Sequence, residues 1–128
     1  MGTMPKPTPS ELEILDILWE KRKATVAEVH NVMNERRPTT YTTVLKFMQI
    51  MHEKGLLERE QSGRAHIYRP AITQRQTQKN LVTDLLDKAF RGSALKLVQH
   101  VLETKPATQE ELAEIRRLIT QAEAKTKK

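Results

Sequence analysis

Cysteine is absent from the 128 residues of this sequence. Disulfide frameworks, thiolate metal sites and cysteine nucleophiles are therefore excluded, and a reducing cytoplasm is the natural setting for the protein. No apolar run approaches the roughly 20 residues that a membrane-spanning helix needs, so we expect no membrane insertion. The first residues lack the hydrophobic segment of a signal peptide, and we interpret residues 1–7 as an unstructured N-terminus or a cloning remnant.

Motifs for catalysis and for metal or cofactor binding are also missing. The four glycines are isolated and form no phosphate-binding loop, and no serine lies in a Gly-x-Ser-x-Gly motif. The four histidines are far apart and lack the spacing of metal ligands: His30, His52, His66 and His100. We therefore expect no enzyme, no metal site and no cofactor.

Basic residues outnumber acidic ones by 22 to 16, which gives a net charge of +6 and a pI of about 9.7. This charge favours a polyanionic partner such as nucleic acid, although many basic proteins bind none. The excess is concentrated in one region. Residues 36–69 carry seven basic and three acidic side chains, whereas residues 1–35 carry four basic and six acidic ones.

Capping signals predict three helices in the first 55 residues. Capping boxes at Thr8 and Thr25 begin the first two, and Thr39 or Thr40 begins the third, which Gly55 ends. Apolar residues at helical spacing predict the buried stripes of these helices. They are Leu12, Leu15, Leu18 and Trp19 in the first helix, Val26, Val29 and Met33 in the second, and Val44, Phe47, Met48 and Met51 in the third.

Two extended runs, "LLEREQ" and "AHIYRP", flank "SGR" and predict a β-hairpin at 57–69, in which Gly63 supplies the positive φ of the turn. Three helices followed by a hairpin describe a winged helix-turn-helix domain, which we assign to residues 8–72. The predicted fold class is thus mainly α.

Residues 73–124 predict a tail of three further helices, at about 73–90, 93–104 and 108–124, followed by a frayed basic tail at 125–128. We expect these helices to form a small core of their own. The apolar stripe of the first one is too wide for one packed side, so a second copy of the chain would cover it. The alternative is that the tail folds back on its own winged helix. The residues expected in a homodimer interface are Leu81, Leu85, Leu86, Phe90, Leu97, Val101, Leu102, Leu112, Ile115 and Ile119.

The third helix and the hairpin are the candidate nucleic-acid surface. In helix-turn-helix proteins the second helix of the motif enters the major groove, and here that helix spans about residues 40–54. The helical period predicts that its outward face carries hydroxyls, an amide and one cation, with no carboxylate before Glu53. The alternative is that these hydroxyls only cap the helix and meet solvent, and that the hairpin is an ordinary solvated one. The predicted DNA-binding residues are Thr40, Tyr41, Thr42, Thr43, Lys46, Gln49, Arg64 and His66.

The stretches "PTPSELEILDILWEKRKATVAEVH", "YTTVLKFMQIMHEKGLLER" and "GRAHIYRP" together resemble the penicillinase repressor family, the BlaI/MecI group. The resemblance implies a cytoplasmic bacterial repressor that binds a palindromic operator of double-stranded DNA as a homodimer and controls genes, often for β-lactam resistance. It also implies a sensor-protease system as a partner, which triggers cleavage of the repressor in its dimerisation region.

Family residues carry over to this chain only in part. The contacts of the recognition helix match Thr42, Thr43 and Lys46, whereas a later family arginine falls at Ile50. The family's scissile Asn-Phe pair aligns with "HV" at positions 100 and 101, and neither residue matches. His100 and Val101 are therefore the predicted cleavage position by alignment alone. The alternative function is a winged-helix docking module whose basic wing binds an acidic protein partner.

Overall fold

The computed structural model describes residues 6–127, which form six helices and three strands. The elements in chain order are α1 Pro9–Lys21, β1 Ala24–Thr25, α2 Val26–Arg36, α3 Tyr41–Glu53, β2 Leu57–Ser62, β3 Ala65–Pro70, α4 Gln74–Ala89, α5 Ala94–Thr104 and α6 Gln109–Thr126. The predicted mainly α class, with a winged helix followed by three helices, is confirmed. Residues 1–5 and 128 lie outside the described residues, so the expectations for the N-terminus and the last residue stay predictions. Helix α6 continues to Thr126, two residues further than expected.

Side-chain caps begin the first three helices where the sequence predicts them. The Thr8 hydroxyl accepts from the Glu11 backbone N–H (3.2 Å), and the Glu11 carboxylate accepts from the Thr8 N–H (3.0 Å). Thr25 and Glu28 form the same reciprocal pair, and the Thr25 N–H lowers the pKa of the Glu28 carboxyl below its ordinary value. Of the two candidates for the third helix, Thr40 is the cap. These reciprocal bonds satisfy backbone N–H groups that a helix start would otherwise leave without partners.

The hairpin belongs to a three-stranded antiparallel sheet with the order β1-β3-β2. Its turn consists of Gly63 and Arg64, and Gly63 adopts the positive φ (63°) that the sequence predicts. Strand β1 was not predicted, because two residues are too few to show an alternating pattern. It forms because Ala24 and Thr25 pair with Tyr68 and Ile67 of the central strand.

The core lies where α1, α2, α3 and the base of the hairpin meet. Its buried apolar residues are Ile14, Leu15, Ile17, Leu18, Ala24, Val26, Val29, Met33, Val44, Met48, Met51, Leu56, Leu57 and Tyr68. The stripe predicted for α2 is confirmed in full. In α1 and α3, Leu12, Trp19 and Phe47 are only partly buried, which corrects their assignment to the core. Trp19 stays at the boundary because its indole N–H donates to the carbonyl of Ile72 (2.9 Å).

The chain divides into two compact units inside α4, between Val82 and Thr83. The sequence predicts a boundary ten residues earlier, at 72/73. The first turns of α4 belong to the winged unit, where Thr77 is buried and its hydroxyl donates to the Thr73 carbonyl (3.0 Å).

The second unit corrects a further expectation. No residue from 83 to 127 is buried, so the three tail helices form no core within a single chain. Large apolar side chains that are more than two-fifths exposed in this unit are Leu85, Leu95, Val98, Val101, Leu102, Leu118 and Ile119.

One carboxylate is buried in the winged unit. Glu11 is 2% exposed, and its two oxygens accept from the Lys54 ammonium at 3.0 and 2.9 Å. Lys54 is the C-cap residue of α3, and its side chain is 36% exposed. This ion pair therefore joins the start of α1 to the end of α3, across 43 residues of sequence.

We predict an asymmetry between the two partners of this ion pair. Lys54→Ala should lower the free energy of unfolding by about 3–5 kcal/mol, because the carboxylate stays buried with only one backbone donor. Glu11→Gln should cost about 1–2 kcal/mol, because the lysine can extend into water and the amide oxygen can still accept from Thr8. The measurement is urea unfolding followed by circular dichroism, with the exposed Lys23→Ala as control. Equal losses for the two variants, or a double variant less stable than Lys54→Ala, would contradict this account.

Candidate nucleic-acid interface

One face of α3 is buried in the core, and this burial determines that the opposite face points outwards. Val44, Met48 and Met51 are each 0% exposed. Side chains on the opposite side of a helix must then point outwards, and Thr42 and Lys46 are exposed. Gln49 is exposed, and so is Tyr41 at the first helical position, as are Thr40 and Thr43. All six residues of this helix and its cap that the sequence predicts to bind DNA are therefore exposed: Thr40, Tyr41, Thr42, Thr43, Lys46 and Gln49.

The threonine hydroxyls at the start of α3 divide between two uses. The Thr39 hydroxyl donates to the Arg37 carbonyl (3.0 Å). The Thr40 hydroxyl accepts from the Thr43 backbone N–H (3.2 Å) and lies 2.8 Å from the Thr43 hydroxyl. Within residues 6–127, the hydroxyl of Thr42 makes no hydrogen bond to the chain. Three hydroxyls thus build the turn into the helix, and Thr42 presents a free one.

Four of the seven cations counted between residues 36 and 69 are used inside the protein. Arg36 and Arg37 both bind Glu13 on α1, at 3.1 and 2.5 Å. The Arg37 guanidinium lowers the pKa of the Glu13 carboxyl below its ordinary value. Lys54 binds Glu11, as described above. Arg69 binds Glu58 (3.0 Å) across the hairpin. The net charge of this region therefore overstates the positive charge that is available to a partner.

The other three cations, Lys46, Arg59 and Arg64, are exposed and form no ion pair within the described part of the chain. Lys46 lies on the outward face of α3, Arg59 on β2, and Arg64 in the hairpin turn. A cation without a carboxylate partner can bind a phosphate at no cost in broken ion pairs. These three side chains are the positive charges that the surface offers.

The two faces of the hairpin differ in charge. Directly paired residues share a face, and Arg59 pairs with the core residue Tyr68, while Gln61 pairs with His66. This inner face carries no carboxylate. The outer face holds Glu58, which pairs with Arg69 in the strand register, and Glu60. Arg59 is a site residue that the sequence prediction did not include, although alternation from the buried Leu57 places it on the inner face.

His66 and Arg64 occupy different environments in the hairpin. His66 is half-buried, and its ring contacts Tyr68 edge-on with centroids 6.3 Å apart. Arg64 is exposed at the turn. Arg64 can therefore reach outwards freely, whereas His66 is held against the core aromatic ring.

The predicted dimerisation residues all lie on the tail helices, and none is buried in the single chain. Leu85, Val101, Leu102 and Ile119 are exposed. The other six are half-buried: Leu81, Leu86, Phe90, Leu97, Leu112 and Ile115. Leu95 and Val98 are not among the predicted interface residues, although they extend the same apolar face of α5.

The predicted cleavage position lies inside α5. His100 and Val101 are exposed, and the His100 ring packs against Phe90 with centroids 5.7 Å apart. The peptide between them is therefore helical. Among residues 6–127, no group of histidine and carboxylate side chains is arranged to hold a metal ion, and no helix is long and apolar enough to cross a bilayer.

Comparisons with known proteins bear on the whole chain. The family model of the penicillinase repressor matches residues 7–121. The transcriptional regulator BlaI of Mycobacterium tuberculosis (strain CDC 1551 / Oshkosh) is 31% identical over 116 residues, which cover 89% of this chain and 83% of the relative.

Two solved structures share the winged-helix fold. One is the solution structure of the DNA binding domain of the repressor BlaI, with a TM-score of 0.52, 23% identity, and coverage of 58% of this chain and 90% of that one. The other is the Bacillus licheniformis BlaI monomeric form in complex with the blaP half-operator, with a TM-score of 0.50 and the same identity and coverage. The family match extends over nearly the whole chain, and the relatives are transcriptional regulators and repressors, not enzymes. This chain therefore belongs to the penicillinase repressor family.

Proposed function

We propose that this chain is a homodimeric transcriptional repressor that binds a palindromic DNA operator, with α3 in the major groove and the hairpin beside the backbone. One observation carries the proposal. The outward face of α3 presents a free hydroxyl, an amide and one unpaired cation, and its first carboxylate is Glu53 at the far end. Such a face suits a surface of phosphates and base edges, whereas a carboxylate there would repel the phosphates.

Each exposed group of α3 has a suitable partner on a duplex. The Thr42 hydroxyl can bond to a base edge or a phosphate, and its methyl group can touch a thymine methyl. The Gln49 amide can both donate to and accept from adenine. Lys46 suits a phosphate oxygen, and the N-terminal end of the helix adds its own positive partial charge. The solved half-operator complex of the Bacillus licheniformis protein supports a duplex as the ligand of this fold.

The hairpin contributes the other two unpaired cations. Arg64 at the turn and Arg59 on the inner face have no carboxylate partner, so they can bind the sugar-phosphate backbone. His66 keeps its predicted role as a contact beside Arg59, although its ring is held against Tyr68. Contacts of this kind position a protein on DNA and carry little sequence information.

The tail supports the homodimer. On α5 the exposed Leu95, Val98, Val101 and Leu102 lie on one face, while Lys96, His100 and Glu103 lie on the other. Exposed apolar surface without a core beneath it gains free energy when a second copy covers it. A twofold dimer also places two copies of α3 on two half-sites, as a palindrome requires.

Release from DNA is proposed to follow from loss of the dimer through cleavage by a sensor-protease system, in the bacterial cytoplasm. In a twofold complex each half keeps the other close to the duplex, so separation converts one tight event into two weak ones. The aligned bond between His100 and Val101 lies within α5, so a protease needs local opening of this helix. The controlled genes are those of β-lactam resistance or related functions.

The decisive experiment is selection of bound duplexes from a random library with the full chain. A repressor should return a palindrome and discriminate it from a scrambled duplex at physiological salt, by a factor of about 10³ or more. The competing function is a docking module whose wing binds an acidic protein. Weak attraction to all duplexes, lost as salt rises, would favour that function instead.

We predict separable effects for the two best-placed residues of α3. Lys46→Ala should weaken binding to all duplexes by about tenfold and reduce the salt slope by about one unit, because a phosphate contact is lost. Thr42→Val keeps the methyl group and Thr42→Ser keeps the hydroxyl, so the two variants should shift base preference at different positions. Fluorescence anisotropy measures both effects, and Lys125→Ala on α6 is the control for net charge. If all three variants of α3 bind DNA like the wild-type protein, the DNA-binding surface does not include these residues.

We predict that an aspartate on the apolar face of the tail separates the dimer. Leu85→Asp and Leu102→Asp each place a charge in the covered surface, at a cost of about 2–5 kcal/mol. Lys96→Asp places the same carboxylate on the polar face of α5, with a larger change in net charge, and should leave the dimer intact. Sedimentation equilibrium at tens of micromolar gives the mass. A monomeric wild-type protein would refute the dimer, and dissociation by the control would refute this choice of surface.

We predict that induction of the native host with a β-lactam yields a fragment that ends at His100. Intact-mass spectrometry of the protein recovered before and after induction gives the cleavage position directly. Full derepression with only intact protein present would exclude proteolytic release for this chain.

A further inference from the structure

Two side chains of α2 hold a single residue that precedes α3. The Asn34 carboxamide oxygen accepts from the backbone N–H of Thr39 (3.0 Å), and Nε2 of His30 lies 2.6 Å from the backbone carbonyl oxygen of Thr39. Because a carbonyl oxygen can only accept, Nε2 of His30 carries the proton in this contact. Residues four apart in a helix lie on one face, one turn from each other, so α2 binds both backbone polar groups of one residue, Thr39.

Thr39, the residue that α2 holds, lies where the chain enters α3. Thr39 directly precedes Thr40, the N-cap of α3, and follows Pro38, which has no backbone N–H to donate. The His30 ring also meets the ring of Tyr41, the first helical residue of α3, edge-on with centroids 6.0 Å apart. His30 therefore contacts the chain on both sides of the N-cap.

We propose that His30 and Asn34 form a positioning pair that fixes the first turn of α3 and, through it, the direction of the base-facing side chains. The inference rests on the proposed operator binding and adds to it two residues that need not touch DNA. Thr42 projects from the first turn of α3, before the buried Val44, so a displacement of this turn moves it directly. Lys46 lies between the buried Val44 and Met48, so its position changes little. The positive charges of Arg59 and Arg64 lie on the hairpin and do not depend on this turn.

The pair differs from an ordinary stabilising contact in what its loss should do. Loss of a merely structural contact lowers the folded fraction and weakens binding to every duplex alike. Loss of a positioning contact instead weakens binding to the correct sequence and spares the non-specific attraction, since that attraction comes from charges whose positions change little.

The chain offers variants that isolate each contact. His30→Phe keeps an aromatic ring and removes the donor, whereas His30→Gln keeps an N–H donor. Asn34→Ala removes the acceptor, whereas Asn34→Asp keeps it. The matched control is Asn31→Ala, since Asn31 is exposed on the same helix and has no side-chain hydrogen bond within residues 6–127.

The test combines two measurements on the full chain. Amide hydrogen exchange by NMR at Thr39, Thr43 and Val44 reports the start of α3 without DNA. Anisotropy compares the duplex that the wild-type protein selects with a scrambled duplex of the same composition. His30→Phe and Asn34→Ala should speed exchange by about fivefold and weaken selected-duplex binding by about tenfold, with scrambled-duplex binding changed by less than about twofold. His30→Gln and Asn34→Asp should recover most of both losses.

Unchanged exchange in both loss-of-contact variants would overturn the positioning pair. Equal weakening on the two duplexes, in step with the folded fraction, would also overturn it, because that pattern belongs to a structural contact. A wild-type protein that selects no duplex would refute the proposed function. The exchange measurement would then decide separately whether the pair fixes the turn.

Discussion

Complete burial of one face of α3 is the constraint on which the remaining features of the winged unit depend. Val44, Met48 and Met51 are inaccessible to solvent because α1, α2 and the base of the hairpin close over them. The rotation of the helix about its axis from Val44 onwards is therefore settled by the hydrophobic effect and by close packing, whereas the exposed first turn also depends on contacts from α2. Only then can exposed side chains on the opposite face keep constant positions relative to one another.

Ion pairs within the winged unit distinguish the charged side chains that stabilise the fold from those that can bind a partner. The buried Glu11 binds Lys54 at the end of α3, and Glu13 binds the two arginines that end α2. Both carboxylates lie in α1, so this helix holds the next two helices by charge as well as by packing. Among the cations between residues 36 and 69, those without an ion pair lie on the outward face of α3, on the inner face of the hairpin and at its turn.

The tail helices are stabilised differently from those of the winged unit. Its helices have well-formed caps, such as Ser93 and Thr108, yet no residue from 83 to 127 is buried. Local hydrogen bonds can begin a helix, but helices of this length draw most of their stability from tertiary packing. The exposed apolar face of α5 and the half-buried leucines of α4 are understandable if a second copy completes the structure.

The sequence alone determined the features that depend on neighbours three or four residues apart. The caps at Thr8, Thr25 and Thr40 and the turn at Gly63 could be predicted, because their partners are local and their residue types are specific. The mainly α winged fold follows from their order, and the outward face of α3 follows from its period. These predictions also located most of the candidate site.

Only the tertiary structure decided which groups are used internally and which are free. Glu13 meets Arg37 across 24 residues, Glu11 meets Lys54 across 43, and Trp19 meets Ile72 across 53. No periodic pattern records such partners, so the sequence could not show that four of seven cations are paired or that Thr42 keeps its hydroxyl free. The same reason explains the missed strand β1, which exists only because β3 lies beside it. Contacts between distant residues depend on how the elements pack, and packing is a property of the folded chain as a whole.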